Sequence, residues 1–393
     1  MTILKTIALD GFRNLSGFSV GAHPRLNIFI GRNGQGKTNL LEAIHLAGSL
    51  RPLRKIERNQ DLIAFGNEGS SIRSVFDHCG PLPVDIQIHS RGRQARIAGK
   101  RVRDILELSR DISVVAFTPE DLSMVRGSPG TRRRALDGFA FSVEPGFAPI
   151  ARKYDRLLER RNKLLKEKWV DPQVLDAYTE PLIESGAHLT LARERMTQMW
   201  REPYREAIAG ITDQHLKADL GYFSTIANLD VITENAATSS LEVMAERFRE
   251  RLKETREKER VRRVTMVGPH LDDLIFYSGE QRARHFASQG EARAMVLALR
   301  LSHVRIVAKT RGTPPLLLLD DVAGELDPQR AEALFALIDE VNAQTFVTAT
   351  HLDALPAPGD CSIYQLAAGQ LTLLGQETVP SQINEDEQVY ESH

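Results

Sequence analysis

The stretch Gly31-Arg32-Asn33-Gly34-Gln35-Gly36-Lys37-Thr38 sets Gly31 and Gly36 with four residues between them and follows Gly36 with lysine and threonine. That spacing suits triphosphate chemistry. Glycines let backbone N–H groups converge on phosphate oxygens, and the helix N-terminus that follows adds partial positive charge; Lys37 bridges the terminal phosphates and Thr38 offers a hydroxyl to magnesium. Far along the chain, the run "LLLL" ends in Asp320 and Asp321. Asp320 stands where a carboxylate holds the water shell of magnesium, and Asp321 where one orients and polarises an attacking water. A third feature, Ser288-Gln289-Gly290-Glu291, opens a long apolar helix without any lysine. A hydroxyl, free N–H groups and a helix dipole suit an anion there too. His351 closes the run "QTFVTATH". A histidine at a strand end is either a structural partner or a site residue, since ligands gather beyond the ends of parallel strands.

The elements that position these residues are legible nearby. "LNIFI" reads as a buried strand entering the glycine loop, and Leu40, Leu41, Ile44 and Ala47 form the apolar side of a helix leaving it before Gly48. Four successive leucines predict a strand covered on both faces. Asp327 before Pro328 is a helix start, an N-cap with proline at the first helical position. Short strand-like runs and turns before residue 118 predict an α/β lobe, whereas Gly146 to Ile211 turns helical and charged, with Leu157, Leu158, Leu164, Leu165 and Trp169 at helical spacing. "VTMVGPHLDDLIFYSGEQRARHFAS" reads as strands returning to the first lobe. The expected organisation is a first lobe made of 1–117 and 286–376, a mostly helical second lobe at 118–285, and an acidic flexible tail at 377–393.

The 393 residues are 42% hydrophobic and 26% charged, which is globular composition, and 51 Lys and Arg nearly cancel 52 Asp and Glu. Any nucleic-acid surface must therefore be a local patch. Arg91, Arg93, Arg96, Lys100, Arg101 and Arg103 fall in a stretch without one acid, a hairpin turning near Ala98-Gly99, and alternation puts several of them on one face. Arg132, Arg133 and Arg134 form another cluster. Each patch reads either as a phosphate-binding surface or as a solvated face laced with ion pairs. Aromatics do not interleave with these bases, so backbone contacts to duplex DNA are expected rather than stacking on single strands. Cys79 and Cys361 lack metal-ligand spacing and fit a reducing compartment. Early charges at Lys5, Asp10 and Arg13 exclude a signal peptide, and no apolar run is long enough for a membrane span, so a cytoplasmic protein without membrane partners is expected.

The order of these motifs is that of ABC-type ATPase heads in SMC-like repair proteins. "GFRNLSGF", "GRNGQGKTNLLEAIHLAGSLRPLRK", "VVAFTPEDLSMVRGSPGTRRRALD", "VGPHLDD", "FASQGEARAMVLALRLSH" and "LLLLDDVAGELD" together resemble the RecF family of bacterial DNA replication and repair proteins, over nearly the whole chain apart from the helical middle and the tail. The resemblance implies an α/β fold, an ABC-type P-loop ATPase head with a mixed sheet around the P-loop helix, a second, largely helical lobe and no long coiled coil. It implies ATP and Mg2+ as cofactors and an ATP-dependent homodimer, in which Ser288, Gln289 and Gly290 of one copy contact the γ-phosphate held by the loop Gly31 to Thr38 of the other. Asp327 in "GELD" joins the nucleotide contacts; Lys37, Asp321 and His351 take the catalytic roles; Thr38, Asp320 and Glu120 attend the metal, Glu120 standing where such heads often carry glutamine. The family binds duplex or gapped DNA and acts with RecO and RecR to place RecA at single-strand gaps.

Three departures matter. Leu271 stands where the family usually has arginine, and "SQGEAR" replaces the commoner "SQGQQR", leaving Ser288, Gly290 and Arg293 matched but Glu291 and Ala292 changed. Asp321 stands where many ABC ATPases use glutamate, and its shorter side chain predicts slow turnover, as suits a switch. Two other functions compete: an ATPase subunit of another ABC-type assembly such as a transporter, and a scaffold that binds nucleotide without hydrolysing it.

Overall fold

The computed structural model describes residues 2–377 apart from 55, 105, 145, 168, 170, 213, 232–239, 322–327 and 356–358; Asp327 and the tail from 378 onward lie outside the described residues. The strands in chain order are β1 (Ile3–Asp10), β2 (Phe18–Gly21), β3 (Leu26–Ile30), β4 (Gly69–Asp77), β5 (Pro81–His89), β6 (Gly92–Ile97), β7 (Lys100–Arg101), β8 (Val114–Phe117), β9 (Ala218–Ser224), β10 (Leu229–Val231), β11 (Asp273–Ser278), β12 (Gln281–Arg282), β13 (Leu316–Leu319), β14 (Thr345–Ala349), β15 (Cys361–Ala367) and β16 (Gln370–Glu377). The helices are α1 (Lys37–Ser49), α2 (Leu106–Ser109), α3 (Pro129–Val143), α4 (Phe147–Leu165), α5 (Pro172–Ile211), α6 (Leu241–Arg262), α7 (Ala283–Phe286), α8 (Gln289–Arg311) and α9 (Pro328–Val341).

The leucine run explains the central layer. Leu316 and Leu318 pack into a core with Leu40, Leu41 and Ile44 of α1, while Leu317 and Leu319 join a second core with Val296 and Leu297 of α8. Both faces of β13 are covered, and all four leucines are buried. β13 lies in a sheet ordered β16-β15-β3-β14-β13-β8, parallel except for the edge strand β16. The ends of β3, β13 and β14 therefore lie side by side, carrying the glycine loop, the paired acids and His351 to one edge of the sheet.

The second sheet, β2-β1-β4-β5-β6-β7, is antiparallel throughout. Ile72, Phe76, Val84, Ile86 and Ile88 turn one face into the α1 core, and the alternate positions face outward.

In the helical lobe α5, 40 residues and so about 60 Å long, packs against α4, α6 and α8. Trp200 of α5 stacks on Phe139 of α3 at 3.9 Å between ring centroids and donates its indole N–H to Ser302 of α8 at 2.8 Å, so one side chain joins three helices. A buried pair, Arg161 to Glu259 at 2.7 Å, ties α4 to α6. No coiled coil extends from these helices among the described residues.

Two sequence expectations need correction. Trp169 is not on the buried face of a helix: α4 stops at Leu165, and Trp169 beyond it is 76% exposed. "VTMV" is not a strand. Thr265 to Asp272 forms a hydrogen-bonded loop around Gly268, at φ +132, and pairing resumes only at Asp273.

Candidate functional site

The glycine loop leaves β3 under tight constraint. A Cβ on Gly31 would stand 2.3 Å from the carbonyl oxygen of Leu366 on β15, and one on Gly36, at φ +108, would stand 2.7 Å from Asn14 Oδ1. Only glycine fits either place. Gln35 accepts the N–H of Ala368 at 2.6 Å, fastening the loop to the β15–β16 turn. Lys37 is buried and its ammonium lies inside the loop, donating to the carbonyls of Gly31 at 2.5 Å and Arg32 at 3.2 Å. Burial lowers its pKa, and the charges of Asp321 and Asp320 oppose that shift.

The acids converge on the same place. Thr38 Oγ1 donates to Asp320 Oδ1 at 3.0 Å, and Thr348 Oγ1 of β14 donates to the same oxygen at 2.8 Å. Asp321 donates its backbone N–H to Thr348 Oγ1 at 2.9 Å and holds φ at +51, a left-handed value unusual for a residue with a side chain. Between loop and acids opens a cavity of about 300 Å³, lined by Asn33, Gly34, Lys37, Thr38, Asp320 and Asp321, with Asn39 and Arg54 at its side. A hydroxyl and carboxylates are hard oxygen donors, the set a magnesium ion prefers. Asp320 is 4% exposed, and burial raises its pKa despite the two hydroxyls, so a cation at this point relieves a real desolvation cost. The residues fit the ion.

Other predicted residues lie outside the lining of this cavity. His351 is exposed beyond β14, and Glu120 is exposed on a separate cleft of about 1020 Å³ between the end of α1 and helices α3 and α8; neither lines the phosphate cavity among its described residues. Ser288 caps α8 in a reciprocal pair: its hydroxyl accepts from the N–H of Glu291 at 3.2 Å, and Glu291 accepts from the N–H of Ser288 at 2.6 Å. The change at position 291 thus keeps a capping side chain. Ser288 and Gln289 are exposed, Gly290 is half-buried, and none of the three lines the cavity of their own chain.

The basic hairpin forms as predicted, β6 and β7 turning through Ala98 and Gly99, both at positive φ. Arg91, Arg93, Arg96, Lys100, Arg101 and Arg103 are all exposed. They do not share one face. Arg96 stands opposite Arg101 in an outward row continued by Asp85 and Arg73, whereas Arg93 stands opposite buried Ile88 and Lys100 opposite Ile97. The second cluster is no surface patch: Arg132 is buried and paired with Asp273 at 2.7 Å, and Arg133 donates to the carbonyl of Asp272. His270 bonds Tyr154, and Asp272 accepts from Tyr222 and Thr225, so "GPHLDD" is a folding joint.

Two further site residues have no chemical signature of their own in the sequence, although Arg54 falls within the family-like run "SLRPLRK". Arg54 reaches the cavity because Glu42, buried on α1, accepts from it at 2.9 Å and also holds Arg13. Thr348 sits in a run that reads simply as a buried strand.

A family model described as RecF/RecN/SMC N terminal domain matches residues 3–357. The chain is 35% identical to the DNA replication and repair protein RecF of Symbiobacterium thermophilum over 94% of its own length and 98% of the relative's, and 33% identical to that of Geobacter sulfurreducens over 91% and 95%. Among solved structures, one described as the recombination mediator protein RecF-ATP in the RecFOR pathway superposes with TM-score 0.85 at 25% identity, covering 95% of this chain and 98% of that one. The Smc head domain of Pyrococcus furiosus aligns at TM-score 0.55 and 16% identity over 95% and 96%, a likeness of fold.

Proposed function

Because this chain belongs to the RecF/RecN/SMC family, and within it to the RecF proteins of DNA replication and repair, we propose that it is an ATP-driven dimer switch that binds duplex or gapped DNA and helps RecO and RecR load RecA. The observation that carries the reading is the convergence of Lys37, Thr38, Asp320 and Asp321 on one cavity at the edge of the parallel sheet. The loop N–H groups and Lys37 bind the β- and γ-phosphates of ATP, and Thr38 with Asp320 would hold Mg2+, whose charge offsets that of the phosphates. Asp321 orients one water in line with the γ-phosphate, and ATP and water give ADP and phosphate. Its carboxylate is short and its backbone is fixed, which makes turnover slow.

Ser288 does not line the cavity of its own chain, and an exposed hydroxyl at a helix N-terminus suits the γ-phosphate held by a second copy. Loss of that phosphate then releases the pair. Residues 1–117 with 286–376 act as the nucleotide lobe, and 118–285 as a second lobe joined to it through the core that α3 and α5 share with α8. Arg96 and Arg101, with the bases around them, contact DNA phosphates in a salt-dependent, sequence-independent way. Family membership leaves no need for a transporter role.

Phosphate release by the purified protein with Mg2+ and ATP tests the enzyme. Asparagine keeps the shape of Asp321 and tolerates its left-handed backbone, so Asp321→Asn is expected to bind ATP but release phosphate at least roughly 100-fold more slowly. Hydrolysis by that variant at the wild-type rate removes Asp321 from the mechanism.

A further inference from the structure

We infer that Thr348 is the residue that positions both acids of the nucleotide site, through one buried hydroxyl that serves the two at once. The inference rests on the reading of that site as an ATPase. Thr348 lies on β14 beside Phe29 of β3 and is fully buried. Its neighbours Phe346, Val347 and Ala349 are apolar and buried. Valine would fill the same space without any polar atom to desolvate, so a hydroxyl here has value only through its bonds. It makes two. As donor it reaches Asp320 Oδ1 at 2.8 Å, and as acceptor it takes the N–H of Asp321 at 2.9 Å.

Each bond has a separate consequence. The first, with the bond from Thr38 at 3.0 Å, gives Asp320 Oδ1 two hydroxyl donors, one from the start of α1 and one from β14, and fixes its rotation. The second ties the backbone of Asp321, at φ +51 in the left-handed region, to β14. Without the hydroxyl the backbone relaxes toward negative φ and the carboxylate swings off the line of attack. Thr348 touches neither substrate nor metal; it is a positioning residue, acting through the two acids.

The test uses the full-length protein carrying Thr348→Val or Thr348→Ser. In steady-state phosphate release, Thr348→Val is expected to lower kcat roughly 10- to 100-fold, the scale of a small misplacement of a reacting group, with little change in KM for ATP. The Mg2+ concentration for half-maximal activity rises. Thr348→Ser, which restores the hydroxyl, is expected to recover most of kcat. A crystal structure of Thr348→Val without nucleotide supplies a second readout: residue 321 leaves the left-handed region. Should Thr348→Val fold poorly, Thr348→Cys keeps the volume with a weak donor and takes its place. Wild-type kcat together with an unchanged left-handed Asp321 overturns the inference, as does a loss of thermal stability with kcat intact. If the wild-type protein releases no phosphate from ATP while Thr348→Val still frees the backbone, the ATPase reading fails and the positioning geometry stands.

Discussion

Lys37 and Asp320 are distant in sequence, and the register of β3, β14 and β13 alone brings them together. Burying an ammonium against two carbonyls is unfavourable by itself, and its return comes when phosphate arrives. Lys37→Ala is therefore expected to leave the unfolding temperature without nucleotide unchanged or raised, and to abolish its rise on adding Mg2+ and ATP. For the wild type that rise corresponds to about 2.7 kcal/mol at a hundredfold excess over Kd. Differential scanning fluorimetry reads both; an equal rise in the variant excludes Lys37 from the grip. The loop was legible in sequence because all its chemistry is local, glycines followed by lysine and threonine. Thr348 and Arg54 were not, because their meaning comes from partners that only the strand register and the burial of Glu42 supply.

At the scale of elements, α8 shows how packing sets charge. His303 is buried among Phe139, Trp200 and Ser142; burial, then the charges of Arg300 and Arg311, push its pKa down to about 3. Burial likewise pushes His45 of α1 down to about 4. In the unfolded chain both take a proton near 6.5, so the folded state, which excludes it, holds its full stability above pH 6.5 and loses it as pH falls toward 4. Urea unfolding at pH 7, 6 and 5 should show a decline on the order of 1 kcal/mol per histidine per unit below pH 6.5. His303→Asn should flatten part of it, and an identical decline in that variant shows that other groups are responsible. The basic hairpin makes the second prediction. Each phosphate contact contributes about 0.9 to the slope of log affinity against log salt, so Arg96→Ala with Arg101→Ala should reduce that slope for duplex DNA by about 2. An unchanged slope puts the hairpin outside the DNA footprint. The hairpin was readable from its turn and its freedom from acids. Arg132 and Arg133 looked equivalent in sequence, yet Asp273 and the carbonyl of Asp272 draw them inward, and nothing in a run of three arginines announces that.

For the whole molecule, the leucine run, the glycine loop and the late signature turn were enough to read an ABC-type head, because each has a distinct periodicity or turn chemistry. The loop around Gly268 was misread as a strand: "VTMV" has strand composition, but its polar atoms bond across to Asn162 and Glu259. The folded chain leaves Ser288 exposed and outside the lining of the cavity that holds Lys37. Ser288→Arg removes an N-cap worth about 1 kcal/mol and sets a cation and its bulk where a partner's phosphate is to dock, while leaving the cavity of its own chain intact.

Molar mass in solution, measured by light scattering with and without Mg2+ and ATP, tests the switch most directly. Wild type should double its mass when nucleotide is added, and Ser288→Arg should still bind ATP yet keep the mass of a single chain. Equal masses for the two proteins under every condition contradict a triphosphate shared between copies.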